Sequence, residues 1–326
     1  MPRKVEISNK TVFFIAGFLA TIWALYQIRE VIILLFIAII FMSALYPIVE
    51  YLQKFKLPKS IAITITYLAI IGLIAGLISM VTVPLVEQTT NLFQNLPQKV
   101  QQALPEQGPI NRNLIEQEVA TISKDALGFT LAIFNNFIAF ISIAVLIFYL
   151  LLERDRLDDL LAQFFIGKEQ KVKRIVRRIE DKLGSWLRGQ VMLSLIIGVL
   201  AYAALTILHI PYALPLAILA GVLEVVPVIG PIISSIPAVL IGYLVSPITA
   251  LWVAGAFFII QQLENNVIVP QVMKRATGLN PLIVILAVSI GGKLLGISGA
   301  LLAVPVAVVI QVILEEISAG EMKEIV

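Results

Sequence analysis

The chain has no cysteine and only one histidine, His209. The lack of cysteine excludes disulfides, thiol nucleophiles and cysteine-ligated metals, and a single histidine excludes a histidine-built metal site or catalytic triad. The sequence has no GxxxxGK[ST] motif, which excludes nucleotide hydrolysis at a P-loop. Its apolar segments contain no Ser/Lys, Asp/Asp or HExxH arrangement. We therefore predict a protein that is not an enzyme and that needs no cofactor or metal.

Charge is also scarce. Charged residues make up 14% of the 326 residues, hydrophobic residues make up 59%, and the mean hydropathy is +0.97. Several apolar runs reach the roughly 18 to 20 residues needed to cross about 30 Å of hydrocarbon. The first run lacks a small-residue cleavage site, so we interpret it as a retained helix and not as a signal peptide. The composition predicts an all-α, polytopic protein embedded in a lipid bilayer.

Apolar runs of this kind predict about six full spans. They cover residues 11–27, 31–51, 61–86, 127–152, 191–208 and 247–270. The basic clusters before the first span, after the second and between the fourth and fifth fall on one side if the spans alternate. Lysine and arginine favour the cytoplasmic side. We therefore expect a protein of the cell (plasma or inner) membrane with cytoplasmic N- and C-termini.

Polar segments divide the chain into regions with different roles. Residues 1–152 would form N-terminal membrane helices with an external polar segment at 87–124, and residues 191–326 would form the transport core. Residues 153–190 have an apolar stripe opposite basic residues, typical of an amphipathic helix that binds anionic lipid or packs on the bundle or a neighbouring subunit. Interleaved acidic residues argue against nucleic acid as a partner, and we expect a homo-oligomer.

Two apolar blocks, 213–245 and 281–317, are broken in the middle by glycine and proline. The arms of the first block hold about 14 residues, or roughly 21 Å of helix, which is short of the hydrocarbon thickness. Both blocks are therefore predicted to be re-entrant helical hairpins. Together with the helix before each of them, they would form an inverted repeat, a common transporter design. The residues assigned to breaking these helices are Pro227, Gly230, Pro231, Pro270, Pro281, Gly291, Gly292 and Gly296.

Polar residues inside these apolar blocks are the candidate binding site. Glu264 would carry a proton or cation, accept a hydrogen bond from a solute, or pair structurally with Lys293 or the hairpin backbone, because an isolated charge inside a membrane is costly. Glu224 either titrates or holds the first hairpin. Lys293 would contact an anion or neutralise Glu264. The amides would bind a substrate or join helices, and they are Gln261, Gln262, Asn265, Asn266 and Asn280.

Three C-terminal motifs carry a family resemblance. They are LEVVPVIGP at 223–231, QQLENNVIVPQVM at 261–273 and GLNP at 278–281, followed by the glycine cluster 291–299. In these motifs the chain resembles the autoinducer-2 exporter (AI-2E) family of multi-pass permeases. The resemblance implies a transport protein, with export of the quorum-sensing signal autoinducer-2 or sodium/proton exchange as its activity.

Three functions follow from these features. A secondary-active exporter of a small polar solute such as autoinducer-2 would have a cavity lined by the amides. A sodium(lithium)/proton antiporter would lose its pH-dependent exchange in Glu264→Gln. A non-transporting membrane scaffold would tolerate that substitution but would depend on the basic segment 153–190.

Overall fold

A computed structural model describes residues 9–73, 75–76, 87–88, 91, 137–227, 229–273 and 278–324 of the chain, and their regular structure is entirely helical. The helices are α1 (Asn9–Gln27), α2 (Arg29–Gln53), α3 (Lys59–Leu73), α4 (Phe137–Gln163), α5 (Glu169–Ile207), α6 (Ala213–Leu223), α7 (Ile229–Val245), α8 (Pro247–Leu263), a π-helix (Glu264–Ile268), α9 (Val269–Met273) and α10 (Pro281–Glu324).

Four helical stretches are long and apolar enough to cross a membrane by length and composition: Arg29–Gln53, Glu169–Ile207, Pro247–Met273 and Pro281–Ser318. The last of these is interrupted at Leu295 and Gly296. Shorter apolar helices accompany them at Lys59–Leu73, Ala213–Leu223 and Ile229–Val245. The predicted all-α, apolar architecture is confirmed. The count of about six spans and the inverted repeat stay predictions. The predicted external segment 87–124 lies outside the described residues except at positions 87, 88 and 91.

The 39-residue helix α5 organises the fold. At 1.5 Å per residue it is about 58 Å long, and it contacts α2, α4, α6, α8, α9 and α10. It joins residues 169–190 of the predicted basic segment to most of the predicted span 191–208, so the expected boundary at 190/191 lies inside α5, whereas residues 153–163 of that segment belong to α4. No proline interrupts this stretch. Two members of its apolar stripe, Leu183 and Trp186, are buried against Ile40 and Val304, so this part packs within the subunit.

A proline in α2 creates the contact between α2 and α5. Pro47 has no N–H, so the carbonyl of Ser43 loses its partner within the helix. The Arg188 guanidinium of α5 donates to the carbonyls of Ala44 at 3.0 Å and Ser43 at 3.4 Å. Gly184 allows this approach, because a Cβ at its position would lie 2.3 Å from the Ser43 oxygen.

A buried ion pair joins α4 to α5 near the same level. The Arg154 Nε donates to Glu180 Oε2 at 2.7 Å, and both residues are less than one-tenth exposed. The guanidinium also lies 3.6 Å from the centroid of the Tyr46 ring of α2. The pair therefore links α2 and α4 to α5.

The first broken block forms a helical hairpin. Helices α6 and α7 are joined by a turn that contains Glu224 and Pro227. The ends of the two helices approach so closely that a Cβ at Gly230 would lie 1.9 Å from the Leu223 carbonyl oxygen. Only glycine fits there. At roughly 17 and 26 Å, both arms are shorter than the hydrocarbon layer.

The second broken block also folds back. Inside α10 the helical geometry fails at Leu295 (φ −130°, ψ 15°) and at Gly296 (φ +62°, ψ −139°). A Cβ at Gly299 would lie 2.0 Å from the Gly291 carbonyl oxygen, whereas residues eight apart in a straight helix are about 12 Å apart. The chain therefore reverses at this point, and Val288 packs against Ala303.

Candidate functional site

Glu264 lies at a local change in helix geometry. Helix α8 passes into a five-residue π-helix that begins at this glutamate. Such segments are rare and occur frequently at functional sites. Although the helix is apolar, the Glu264 side chain turns inward and the residue is 4% exposed. A carboxyl group inside the protein therefore interrupts this candidate span.

The partner of Glu264 is the other acidic candidate. Glu224 follows α6 in the first hairpin turn and is 2% exposed. The two buried carboxyl groups are close enough to interact electrostatically with each other. A hydrogen bond between two carboxyl groups requires a proton on one of them. The fold thus brings together two residues that are distant in the sequence as a pair suited to holding one shared proton.

Amide side chains support this pair from two helices. Gln261 Nε2 donates to Glu264 Oε2 at 3.3 Å. Gln190 Nε2 of α5 donates to the backbone carbonyl of Glu224 at 2.8 Å, and Gln190 is 3% exposed. The Glu224 Oε2 atom is buried without a hydrogen-bond partner among the described residues. A buried acceptor that lacks a partner is costly, and it provides a free oxygen ligand at the pair.

A cavity of about 250 Å³ reaches Glu264. Helices α5, α6, α7 and α8 form its walls, and most of its lining is apolar, including Ile197 and Phe257. Its polar lining consists of Ser234, Ser235, Gln261 and Glu264. This volume lies just below the range of drug-sized pockets, so the cavity suits a small ligand with a few polar groups.

The other amide candidates lie outside the cavity lining. Gln262, Asn265 and Asn266 are exposed, and Asn266 Nδ2 donates to the Gln262 carbonyl at 2.8 Å. Asn280 caps α10 by accepting a hydrogen bond from the Leu282 N–H at 2.9 Å. Of the predicted amides, only Gln261 therefore lines the cavity.

Lys293 was the predicted cationic partner of Glu264. It is exposed near the break in α10, and among the residues that the structure describes no ion pair joins it to Glu264. In this structure the partner of Glu264 is another carboxyl group and not a cation. The amide of Gln261 donates a hydrogen bond to the Glu264 carboxyl group.

Most of the assigned helix breakers lie at or next to a break. Pro227 is in the first turn, Gly230 and Pro231 are in the first turn of α7, and Pro281 begins α10. Gly291, Gly292 and Gly296 lie within the second reversal, where Gly292 faces Ala300.

Pro270 is different, because the chain stays helical to Met273. The preceding π-helix bonds over five residues instead of four, so the missing N–H of Pro270 falls in a bonding pattern that is already altered.

Sequence reasoning missed Gln190, Ser234 and Ser235. Ser234 and Ser235 are the only hydroxyl-bearing residues of α7 apart from Tyr243, and both donate to backbone carbonyls of their own helix. Gln190 is a single amide just before a long apolar run. The sequence signal for these residues was their position as isolated polar residues in or beside an apolar stretch. Their contacts with distant parts of the chain could not be inferred from residue spacing.

Broken apolar helices that enclose a carboxyl pair and a small cavity define a polytopic membrane protein of the transporter class. A comparison of the sequence with protein families agrees. Residues 12–319 match the family described as AI-2E family transporter. The chain belongs to this family, and since its members are transporters, the prediction that the chain is not an enzyme is confirmed.

Similar proteins align with most of this chain and over most of their own length. The AI-2 transport protein TqsA of Escherichia coli (strain K12) is 26% identical over 307 residues, which cover 89% of this chain and 86% of TqsA. A sodium-lithium/proton antiporter of Halobacillus andaensis is 26% identical over 306 residues, covering 85% and 87%. YueF of Bacillus subtilis (strain 168), which carries a provisional transport-protein name, is 28% identical over 289 residues, covering 81% and 78%.

Proposed function

We propose that this chain is a proton-coupled secondary-active transporter that exports a small polar solute such as autoinducer-2. The observation that carries the proposal is the buried Glu264, which lines a small cavity and interacts with the buried Glu224. The similarity to TqsA supports autoinducer-2 as the cargo. Ser234, Ser235 and Gln261 would supply hydrogen bonds to its hydroxyl groups.

The carboxyl pair provides a physical basis for coupling. With one proton the pair is a hydrogen-bonded monoanion, whereas without it two like charges face each other in a water-poor site. Release of the proton would therefore favour a rearrangement that separates or hydrates the two groups. The hairpin turn that holds Glu224 and the π-helix that holds Glu264 are the elements that would move.

A second candidate function is sodium(lithium)/proton antiport. The specific observation in its favour is the buried, unpartnered Oε2 atom of Glu224, because alkali cations are hard ions and prefer oxygen ligands. A sodium or lithium ion could replace the shared proton between the carboxyl groups. The similarity to the Halobacillus andaensis antiporter supports this alternative.

The direct test is transport by the purified protein in proteoliposomes. Proton movement would be followed with an internal pH dye after addition of sodium, lithium or autoinducer-2 under a fixed pH gradient. For an exporter, only autoinducer-2 should move protons; for an antiporter, only the cations should do so. Glu264→Gln and Glu224→Gln should each abolish the coupled proton flux, since either variant leaves a single titratable group.

Glu50→Gln is the matched control, because Glu50 is an exposed carboxyl group of α2 remote from the pair. Its proton flux should equal that of the wild type. Movement of none of the three compounds by the wild type would reject both cargo assignments. Full flux in Glu264→Gln would reject the carboxyl pair as the coupling site.

The remaining assignments extend the same proposal. The protein would lie in the plasma membrane as a homo-oligomer, with both termini and the 153–190 region on the cytoplasmic side and residues 191–326 as the transport core. The two hairpins would enter the bilayer from opposite sides, which gives the inverted repeat. Single-cysteine labelling from each side of the membrane would test the orientation, since the chain has no native cysteine.

A further inference from the structure

We infer that Gln190 is a positioning residue that holds the Glu224 carboxyl group against Glu264. The inference rests on the proposed role of the pair and extends the site to helix α5. Gln190 contacts the backbone of Glu224, so it acts through that residue and has no need to touch a cargo. Its contact joins α5 to the first hairpin turn beside the pair.

The contact serves a carbonyl at a helix end. Glu224 is the C-cap of α6, and the last carbonyls of a helix lack partners within it. Gln190 Nε2 donates to the Glu224 carbonyl at 2.8 Å. Both residues are almost fully buried, so water is a poor substitute for this donor.

Gln190 ties the turn to a helix that is itself fixed. Helix α5 packs closely on α6 through glycine, because a Cβ at Gly221 would lie 2.8 Å from the Ser194 carbonyl oxygen. On its other side α5 is fixed to α2 by the Arg188 contacts. The Gln190 amide therefore holds Glu224 in a constant position relative to α5. Glu264, by contrast, is positioned by α8 and the π-helix.

Removal of the donor should change the carboxyl pair more than the fold. Gln190→Met keeps an unbranched side chain of similar length but leaves the Glu224 carbonyl without its donor. The turn would then relax and alter the distance between the two carboxyl groups. A shared proton depends steeply on that distance, because hydrogen bonds weaken quickly as they lengthen.

Infrared spectroscopy of the protein in liposomes can observe the pair without any cargo. The carbonyl stretch of the protonated carboxyl group would be followed as a function of pH. We expect a band that titrates in the wild type and is altered in Glu224→Gln and Glu264→Gln. In Gln190→Met we expect the titration midpoint to move by at least about 0.5 pH unit, or about 0.7 kcal/mol at 1.36 kcal/mol per unit.

Leu193→Met is the matched control, because Leu193 is also buried in α5 and offers no hydrogen bond. Its midpoint should equal that of the wild type. An unchanged band and midpoint in folded Gln190→Met would overturn the role of Gln190 while leaving the pair intact. A wild-type spectrum without any band assignable to Glu224 or Glu264 would instead reject the shared proton on which the proposed function depends.

A double variant separates positioning from general damage. In a Glu224→Gln background the carboxyl pair no longer exists, so Gln190→Met should cause no further change in the remaining carboxyl band. In proteoliposomes, Gln190→Met should shift the pH dependence of proton flux and keep its maximum within about threefold. Uniform loss of flux at every pH, without a shift, would indicate a purely structural residue.

Discussion

Gly230→Ala is the substitution that most sharply tests the first hairpin and its link to the site. Gly230 lies in the first turn of α7, and a Cβ there would lie 1.9 Å from the oxygen and 2.5 Å from the carbon of the Leu223 carbonyl. The neighbouring residue is Glu224, whose N–H nitrogen would lie 3.2 Å from the added methyl group. The obstacle is backbone, so no side chain can rotate to relieve it.

The size of the effect follows from these distances. A carbon atom and an oxygen atom pack at about 3.4 Å, so the two backbones would have to separate by roughly 1 to 1.5 Å. Overpacking of this kind costs about 1 to 3 kcal/mol, and the upper end applies where backbone must shift. Because Glu224 directly follows Leu223, the shift of the Leu223 carbonyl would also move Glu224. We therefore expect a loss of about 3 kcal/mol in stability and at least a tenfold loss in coupled flux.

Gly255→Ala is the control for the glycine substitution itself. Gly255 lies in α8 with nothing within 4 Å of its added Cβ, so alanine should stabilise the helix by about 0.5 to 1 kcal/mol. Reversible unfolding in mixed detergent micelles, together with proton flux, would compare both variants with the wild type. Equal stability and flux for Gly230→Ala and Gly255→Ala would refute the close approach of α6 and α7.

Further expectations concern the charged residues. Arg154→Leu should lower the free energy of unfolding by roughly 3 kcal/mol. The double variant Arg154→Leu/Glu180→Leu should lose less, because breaking a buried ion pair costs more than replacing both of its members. A loss below about 0.5 kcal/mol for Arg154→Leu would contradict this expectation. Hydrogen bonding from Lys59 at 2.6 Å holds the pKa of Asp155 below its usual range, against partial burial. A lowered pKa gives stability above the unfolded-state value, near 4, that is lost as pH falls through the folded-state value. Because the Asp155 side chain is 65% exposed, Asp155→Asn should cost below about 1 kcal/mol at pH 7, and the cost should shrink as the pH falls below the unfolded-state pKa. Lys293→Gln should keep coupled flux within about twofold of the wild-type value. Loss of flux in this variant would show that Lys293 is part of the functional site.

The sequence was sufficient to predict where the chain breaks. Glycine and proline have strong local effects on backbone geometry, so the interruptions at 213–245 and 281–317 could be predicted without knowledge of the packing. The exact position of the first turn was predicted less accurately than its presence. The first turn lies at Glu224 to Pro227, before the predicted centre at Gly230, since the glycine is needed for close approach after the turn.

The partner of Glu264 could not be predicted from the sequence. Lys293 was a reasonable candidate, because opposite charges usually neutralise each other in apolar surroundings. The choice of Glu224 depends on how the first hairpin packs against α8, which is a long-range property of the fold. The same holds for Gln190, whose only sequence signal is an amide beside an apolar run.

The sequence composition also did not predict that α5 is one continuous helix. The change from basic to apolar residues near Val191 suggested a change of element. Hydropathy reports which surroundings a residue prefers, whereas helix continuity depends on the absence of breakers. A single helix can therefore pass from a charged region into an apolar one, as α5 does from Glu169 to Ile207.

The juxtaposition of Glu224 and Glu264 can be measured in native membranes, because the chain has no cysteine of its own. The double variant Glu224→Cys/Glu264→Cys would be treated with a bifunctional thiol reagent. Its length would be chosen to bridge the gap that the two glutamate side chains fill in the wild type. A proteolytic cut between the two positions would then report cross-linking. We predict efficient cross-linking for this pair and none for Glu264→Cys/Lys293→Cys. The reverse outcome would contradict the carboxyl pair as the centre of this transporter.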